Sequence, residues 1–245
     1  MSLIEMSLSD VVKKQFSFKL KAYLGVFSSL MFMQILAIFF SLLGTMSTYH
    51  GSSIVSVNFT YFSADTVIVF TMLWGFMSAI LITTKATRYD DFAFVANRVS
   101  NNVSNTLFLV AASAIGGITS MLSSYLIKLI VYFIKDIQYG ANMTPKELLI
   151  GFAAASLYVL LFSALGYLVG IFIQMSKVFV ILLPALLVGS FVVSAVGDNG
   201  DWLLAIFNFF VAESSLLIFF IKNIVLSGLL FSFSTVLSNR LEVRN

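Results

Sequence analysis

The stretch Leu148–Ile173 reads LLIGFAAASLYVLLFSALGYLVGIFI, an uncharged run whose hydrophobicity is continuous rather than alternating. Roughly 20 apolar residues cross the hydrocarbon core as an α-helix, whereas a membrane β-strand is about half as long and alternates polar with apolar positions. The run therefore predicts a membrane helix. Working outward, comparable runs lie at about Leu20–Leu43, Val67–Thr84, Thr106–Ile134, Val178–Val196 and Leu216–Leu237. Six crossings give an all-α integral membrane bundle, a single transmembrane domain over residues 1–245 with both termini on one side.

Composition agrees. With 60% hydrophobic residues, 10% charged residues and a mean hydropathy of +1.01, the chain has far too little polar surface for a soluble domain. Lys13, Lys14, Lys19 and Lys21 precede or open the first run, and Lys85, Arg88, Arg98, Lys177, Arg240 and Arg244 fall on the same side. The opposing segments Gly44–Thr66 and Gly197–Ser215 carry no Lys or Arg. The positive-inside rule then puts both termini and the segment Thr83–Asn105 in the cytoplasm of a multi-pass protein of the cell membrane, expected to be bacterial. Lys128, Lys135 and Lys146 dissent, which a long third helix emerging from the bilayer would accommodate. Lys128 and Lys135 are seven residues apart, on one helical face.

Nothing before Leu20 resembles a cleavable secretory signal. Residues 1–21 read instead as a cytoplasmic, interfacial N-terminus. Leu8, Val11, Val12 and Phe16 recur at helical spacing, Ser9 or Asp10 is available as a cap, and the lysines of such a helix would face lipid phosphates.

Several chemistries lack their residues. There is no cysteine, and the only histidine, His50, falls in a predicted outer loop. Thiolate metal sites, His–His zinc pairs and a buried Ser–His dyad are thereby excluded within this sequence. No paired carboxylates enter a span, and no G-x-x-x-x-G-K-[ST] phosphate loop occurs. The chain is expected to be no enzyme, to hold no catalytic, metal or cofactor-binding residue, and to have no nucleic-acid partner.

The helix faces carry other signals. Gly166 and Gly170 form a small-xxx-small pattern that lets membrane helices approach closely. Ser113, Gly117, Ser120, Ser124 and Lys128 make a weakly polar stripe on the third span. Asn223, Ser227, Ser234 and Ser238 make another on the last. Each stripe suits either a transport pathway or interhelical hydrogen bonds. Pro184 reads as a kink tolerated within the fifth span. Lys222, near the outer end of the last span, reads as a side chain reaching for the headgroups.

The segment 83–105, TTKATRYDDFAFVANRVSNNVSN, joins charges to aromatics between two membrane helices. Arg88, Tyr89, Asp90, Asp91, Phe92, Phe94, Asn97 and Arg98 are its candidate docking residues. In the outer segment 197–215, Trp202–Val211 offers about ten apolar residues; as helix these cover roughly 15 Å, half the hydrocarbon thickness, and predict a re-entrant element.

Taken together, the amphipathic start Ser9–Lys21, the polar segment from Thr83 through Asn97-Arg-Val-Ser and the hairpin at Trp202–Val211 resemble the layout of ABC-2 type permeases, the membrane subunits of ATP-binding-cassette exporters. The resemblance covers the whole chain, although the basic motif lacks the family's usual proline. It implies an interfacial connecting helix, a cytoplasmic coupling helix at 83–105 and an outer re-entrant segment. It also implies two ABC ATPase subunits, which bind the ATP and Mg, and a second membrane subunit forming a homo- or heterodimer within the lipid. The expected cargo is hydrophobic or amphipathic: a peptide antibiotic, a drug or a lipid-linked molecule. The rival from another class is a stand-alone membrane immunity or sensor protein without an ATPase partner.

Overall fold

The computed structural model describes residues 7–43, 46–51, 56–61, 65–84, 98–135, 144–196, 205, 208, 209, 213 and 215–240. Their long elements are helices: α1 (Leu8–Ala22), α2 (Leu24–Leu42), α3 (Asp65–Ile82), α4 (Arg98–Lys135), α5 (Pro145–Met175), α6 (Phe179–Val196) and α7 (Leu216–Arg240). A two-stranded antiparallel hairpin, β1 (Met46–Gly51) and β2 (Ser56–Tyr61), lies within the segment expected as an outer loop and pairs Met46 with Tyr61 and Gly51 with Ser56.

Among the described residues five helices are long and apolar enough to cross a membrane: Leu24–Leu42, Asp65–Ile82, Arg98–Ile134, Pro145–Met175 and Leu216–Ser238. This is the character of a helical membrane protein. The predicted fifth span coincides with α6, which contains Pro184 and leaves Val180, Ile181, Leu186 and Val188 exposed.

Helix α5 is the hub on which α3, α4 and α7 pack, and α2 packs on α3 and α4. Its small residues explain this position. A Cβ on Gly166 would lie under 3.0 Å from the backbone of Phe76 on α3, and one on Gly170 would collide with the Thr83 hydroxyl. Nearer its start, Ser156 of α5 meets the Cβ position of Gly117 on α4 just as closely through its backbone. Lipid tails are as apolar as Leu, so close backbone approach and dispersion hold such helices together. Around these crossings Trp74, Phe108, Leu109, Ala164, Tyr167 and Phe231 form the main core.

The first predicted span is shortened. Leu20 belongs to α1, and the chain turns at Tyr23 (φ −98°, ψ 37°) before α2 begins at Leu24. Phe108 fixes this elbow, with its ring centroid 5.9 Å from Tyr23 and 6.1 Å from Phe27. The helix cap also differs from Ser9 or Asp10. Ser7 occupies the cap, its Oγ accepting a hydrogen bond from the Asp10 amide at 3.3 Å. Helix α5 opens with a full capping box, Thr144 Oγ1 accepting from the Glu147 amide while Glu147 accepts from the Thr144 amide.

Helix α4 begins at Arg98, earlier than the predicted span, and runs 38 residues to Lys135. At 1.5 Å per residue that is roughly 57 Å, well beyond a hydrocarbon core of about 30 Å. Residues 98–105, expected to belong to the cytoplasmic coupling segment, are therefore its first two turns.

Candidate functional site

Those two turns meet α1. Val12, Gln15 and Lys19 are the buried residues of α1 and share one face, with Gln15 and Lys19 at 0% exposure. Lys19 was expected to face lipid phosphates. Instead its ammonium donates to Asn101 Oδ1 at 2.5 Å, to Ser104 Oγ at 2.9 Å and to Asn105 Oδ1. These three oxygens equal the number of N–H donors on an ammonium, which is how a cation can be carried inside a helical bundle. Lys13, Lys14 and Lys21 remain exposed.

The network continues inward. Asn105 Nδ2 donates to Tyr167 Oη at 3.4 Å, and Tyr167 donates to Asn102 Oδ1 at 2.8 Å, joining α4 to α5. Gln174, near the end of α5, donates to the Thr83 carbonyl just beyond α3. Arg98 donates to the Ser238 carbonyl on α7 at 3.3 Å. Five helices are thus tied at one end of the bundle, α1, α5 and α7 through side chains of α4 and α3 through Gln174. The cavity among Thr83, Arg98, Asn102, Tyr167 and Gln174 is about 30 Å³. Small-molecule pockets run to roughly 300–1,000 Å³, so this space is the interior of a joint rather than a cargo chamber.

Of the predicted docking residues, Arg88, Tyr89, Asp90, Asp91, Phe92, Phe94 and Asn97 lie outside the described residues. Arg98 is described, and its guanidinium turns toward α7. Along α4, Ser113 pairs with Ser163 of α5 at 3.4 Å, and Gly117 meets Ser156. Ser120 and Ser124 are buried and bond to carbonyls of their own helix, Gly117 at 2.9 Å and Met121 at 2.7 Å. On α7, Asn223 and Ser227 are buried on the same face as Phe219 and Phe231, whose rings lie against Tyr158 and Tyr167 of α5. Asn223 Nδ2 returns to the Phe219 carbonyl at 2.9 Å, while Asn223 Oδ1 and Ser227 Oγ have no hydrogen-bond partner among the described residues.

Of the outer segment's candidate hairpin Trp202–Val211, only Ala205, Asn208 and Phe209 are described. Lys222, expected to reach for the headgroups, has protein partners beside it. It pairs with Glu213, donates to the Phe209 carbonyl and sits 3.8 Å from the Phe209 ring centroid.

Gln34 belongs to no motif of the sequence, yet it joins three helices. Its amide nitrogen, buried between α2, α3 and α4, faces Thr71 Oγ1 at 3.2 Å, the Gly116 carbonyl at 3.3 Å and Thr119 Oγ1 at 2.9 Å. A lone glutamine at the centre of the run Leu24–Leu42 was the available signal. Among the described residues no three His, Cys, Asp or Glu side chains gather as metal ligands.

Compared with known proteins, the chain matches no family model, no curated protein and no solved structure.

Proposed function

We propose that this chain is the membrane-spanning, non-catalytic permease subunit of an ATP-driven exporter, receiving force through segment 83–105 from a separate ATPase. One observation supports this reading best. The residues directly after positions 85–97 are clamped to α1 by Lys19, to α5 by Tyr167 and to α7 by Arg98. A partner that displaces the segment therefore pulls on several helices at once. In this reading α6 supplies the sixth crossing, both termini are cytoplasmic, and Trp202–Val211 dips in from the outer face. Tyr89, Phe92 and Phe94 fill a groove on the ATPase while Arg88, Asp90 and Asp91 orient it through charged contacts. A second membrane subunit completes the passage, and the cargo is hydrophobic or amphipathic.

A second reading has its own support. Ser113, Gly117, Ser120 and Ser124 are turned into helix packing and their own backbone, which suits a closed bundle acting alone as an immunity or sensor protein.

Purification of the tagged chain from its native membrane, with identification of what accompanies it, separates the two. The permease reading expects a phosphate-loop ATPase in near-stoichiometric amount. The stand-alone reading expects none.

A further inference from the structure

Near the elbow between α1 and α2 lies a groove of about 330 Å³, lined by Tyr23, Gly25, Val26, Ser29, Leu81 and Phe108, with Ser78 and Ile82 beside them. Its surface is mainly apolar, and Gly25, Ser29 and Leu81 are exposed along it. A Cβ added at Gly25 would meet nothing within 4 Å, so the space is open where the glycine stands. Ser29 has little left to offer a ligand, because its hydroxyl donates to the Val26 carbonyl at 2.7 Å and accepts from Trp74 Nε1 at 2.9 Å. The groove therefore favours hydrocarbon over a polar molecule.

We infer that this groove holds one acyl chain of an anionic phospholipid, whose headgroup is drawn to the exposed lysines of α1. Size selects the hydrocarbon chain: an α-helix is about 10 Å across with its side chains and cannot enter such a space, whereas a single acyl chain can. Depth agrees with this, since the groove begins at the first turn of α2 and the last turn of α3, just inside the end of the membrane-length helices. Charge selects the headgroup. Lys13, Lys14 and Lys21 are exposed on the helix leading into the groove, and Lys14 and Lys21 share a face. The apolar contact alone cannot discriminate among lipids, because a tail leaves one hydrocarbon environment for another. Discrimination rests on the lysines, each of which attracts an anionic surface severalfold.

Trp74 gives a local reporter, bonded to a groove residue and one of only two tryptophans. A Trp202→Phe chain would be reconstituted into vesicles of phosphatidylcholine and phosphatidylglycerol, with bromine on the chains of one lipid or the other. The site predicts that brominated phosphatidylglycerol quenches Trp74 with a roughly three- to tenfold greater apparent affinity than brominated phosphatidylcholine. Combined Lys13→Gln, Lys14→Gln and Lys21→Gln changes should abolish that preference. Gly25→Leu, which fills open space, should lower quenching by both lipids. Equal quenching by the two lipids, or quenching unchanged by Gly25→Leu in a chain of unchanged helicity, overturns the inference. The comparison of lipids uses the unaltered groove, so it stands whether or not the filling variant folds.

Discussion

The ammonium of Lys19 donates a 2.9 Å hydrogen bond to Ser104 Oγ, across 85 residues of sequence. With Asn101 and Asn105 as further acceptors, this pins the amphipathic first helix to the opening turns of the longest one. Lys19→Met removes the cation and leaves buried amide oxygens without their donor. A loss of about 1–3 kcal/mol is expected, since hydrogen bonds to charged groups lie in that range. Thermal or denaturant unfolding in detergent, followed by helicity, measures it. Lys21→Met, at an exposed position one residue beyond Leu20, should change stability by less than about 0.5 kcal/mol.

The close crossing of α3 and α5 depends on the absence of a side chain at Gly166, where a Cβ would collide with the Phe76 backbone. Because backbone cannot move aside as a flexible side chain can, Gly166→Ala should destabilise by about 1–3 kcal/mol and Gly166→Leu by more. Gly228 on α7 has nothing within 4 Å of its Cβ position, so Gly228→Ala should leave the melting temperature nearly unchanged.

Gln34 faces three acceptors from two other helices. Interhelical hydrogen bonds in membranes contribute modestly, about 0.6 kcal/mol on average and up to about 1.7 in measured cycles. A double-mutant cycle between Gln34→Leu and Thr119→Val should return a coupling within that range. A coupling indistinguishable from zero would mean that the 2.9 Å contact to Thr119 Oγ1 contributes nothing.

How far the fold could be read before its structure depended on what each residue needs. Leu148–Ile173 announces a helix by length and hydrophobicity alone, since no other backbone arrangement satisfies its amides in lipid apart from a closed barrel, whose alternation it lacks. Gly166 and Gly170 were legible as packing residues for the same kind of reason, a local pattern with one physical use. Asn101, Asn102, Ser104 and Asn105 were not. Polar residues beside an apolar run read as the end of a span, and it takes a lysine and a tyrosine from distant helices to give them buried partners. Lys19 was equally opaque, because any lysine flanking a span satisfies the positive-inside pattern, whether it meets lipid or an asparagine. Ser120 and Ser124 left two readings open because a hydroxyl can line a route or return to its own helix; the orientation that decides between them is a property of packing.

Lys222 and Glu213 form an ion pair beside the Phe209 ring. Glu213→Gln should weaken the attachment of the segment before α7 to that helix, seen as faster amide exchange around Phe209, while the bundle's melting temperature falls by little. Partly exposed pairs contribute about 0–1 kcal/mol.

In the proposed exporter, segment 83–105 couples an ATPase to the bundle. The most direct measurement is co-purification of the partner with the wild-type chain and with Asp90→Lys/Asp91→Lys, helicity and melting temperature being recorded for both. Coupling through this segment predicts an ATPase that accompanies the wild type in near-stoichiometric amount and is reduced at least tenfold with the charge-reversed chain, at unchanged stability. An ATPase retained equally by both chains, or no ATPase with either, would contradict it.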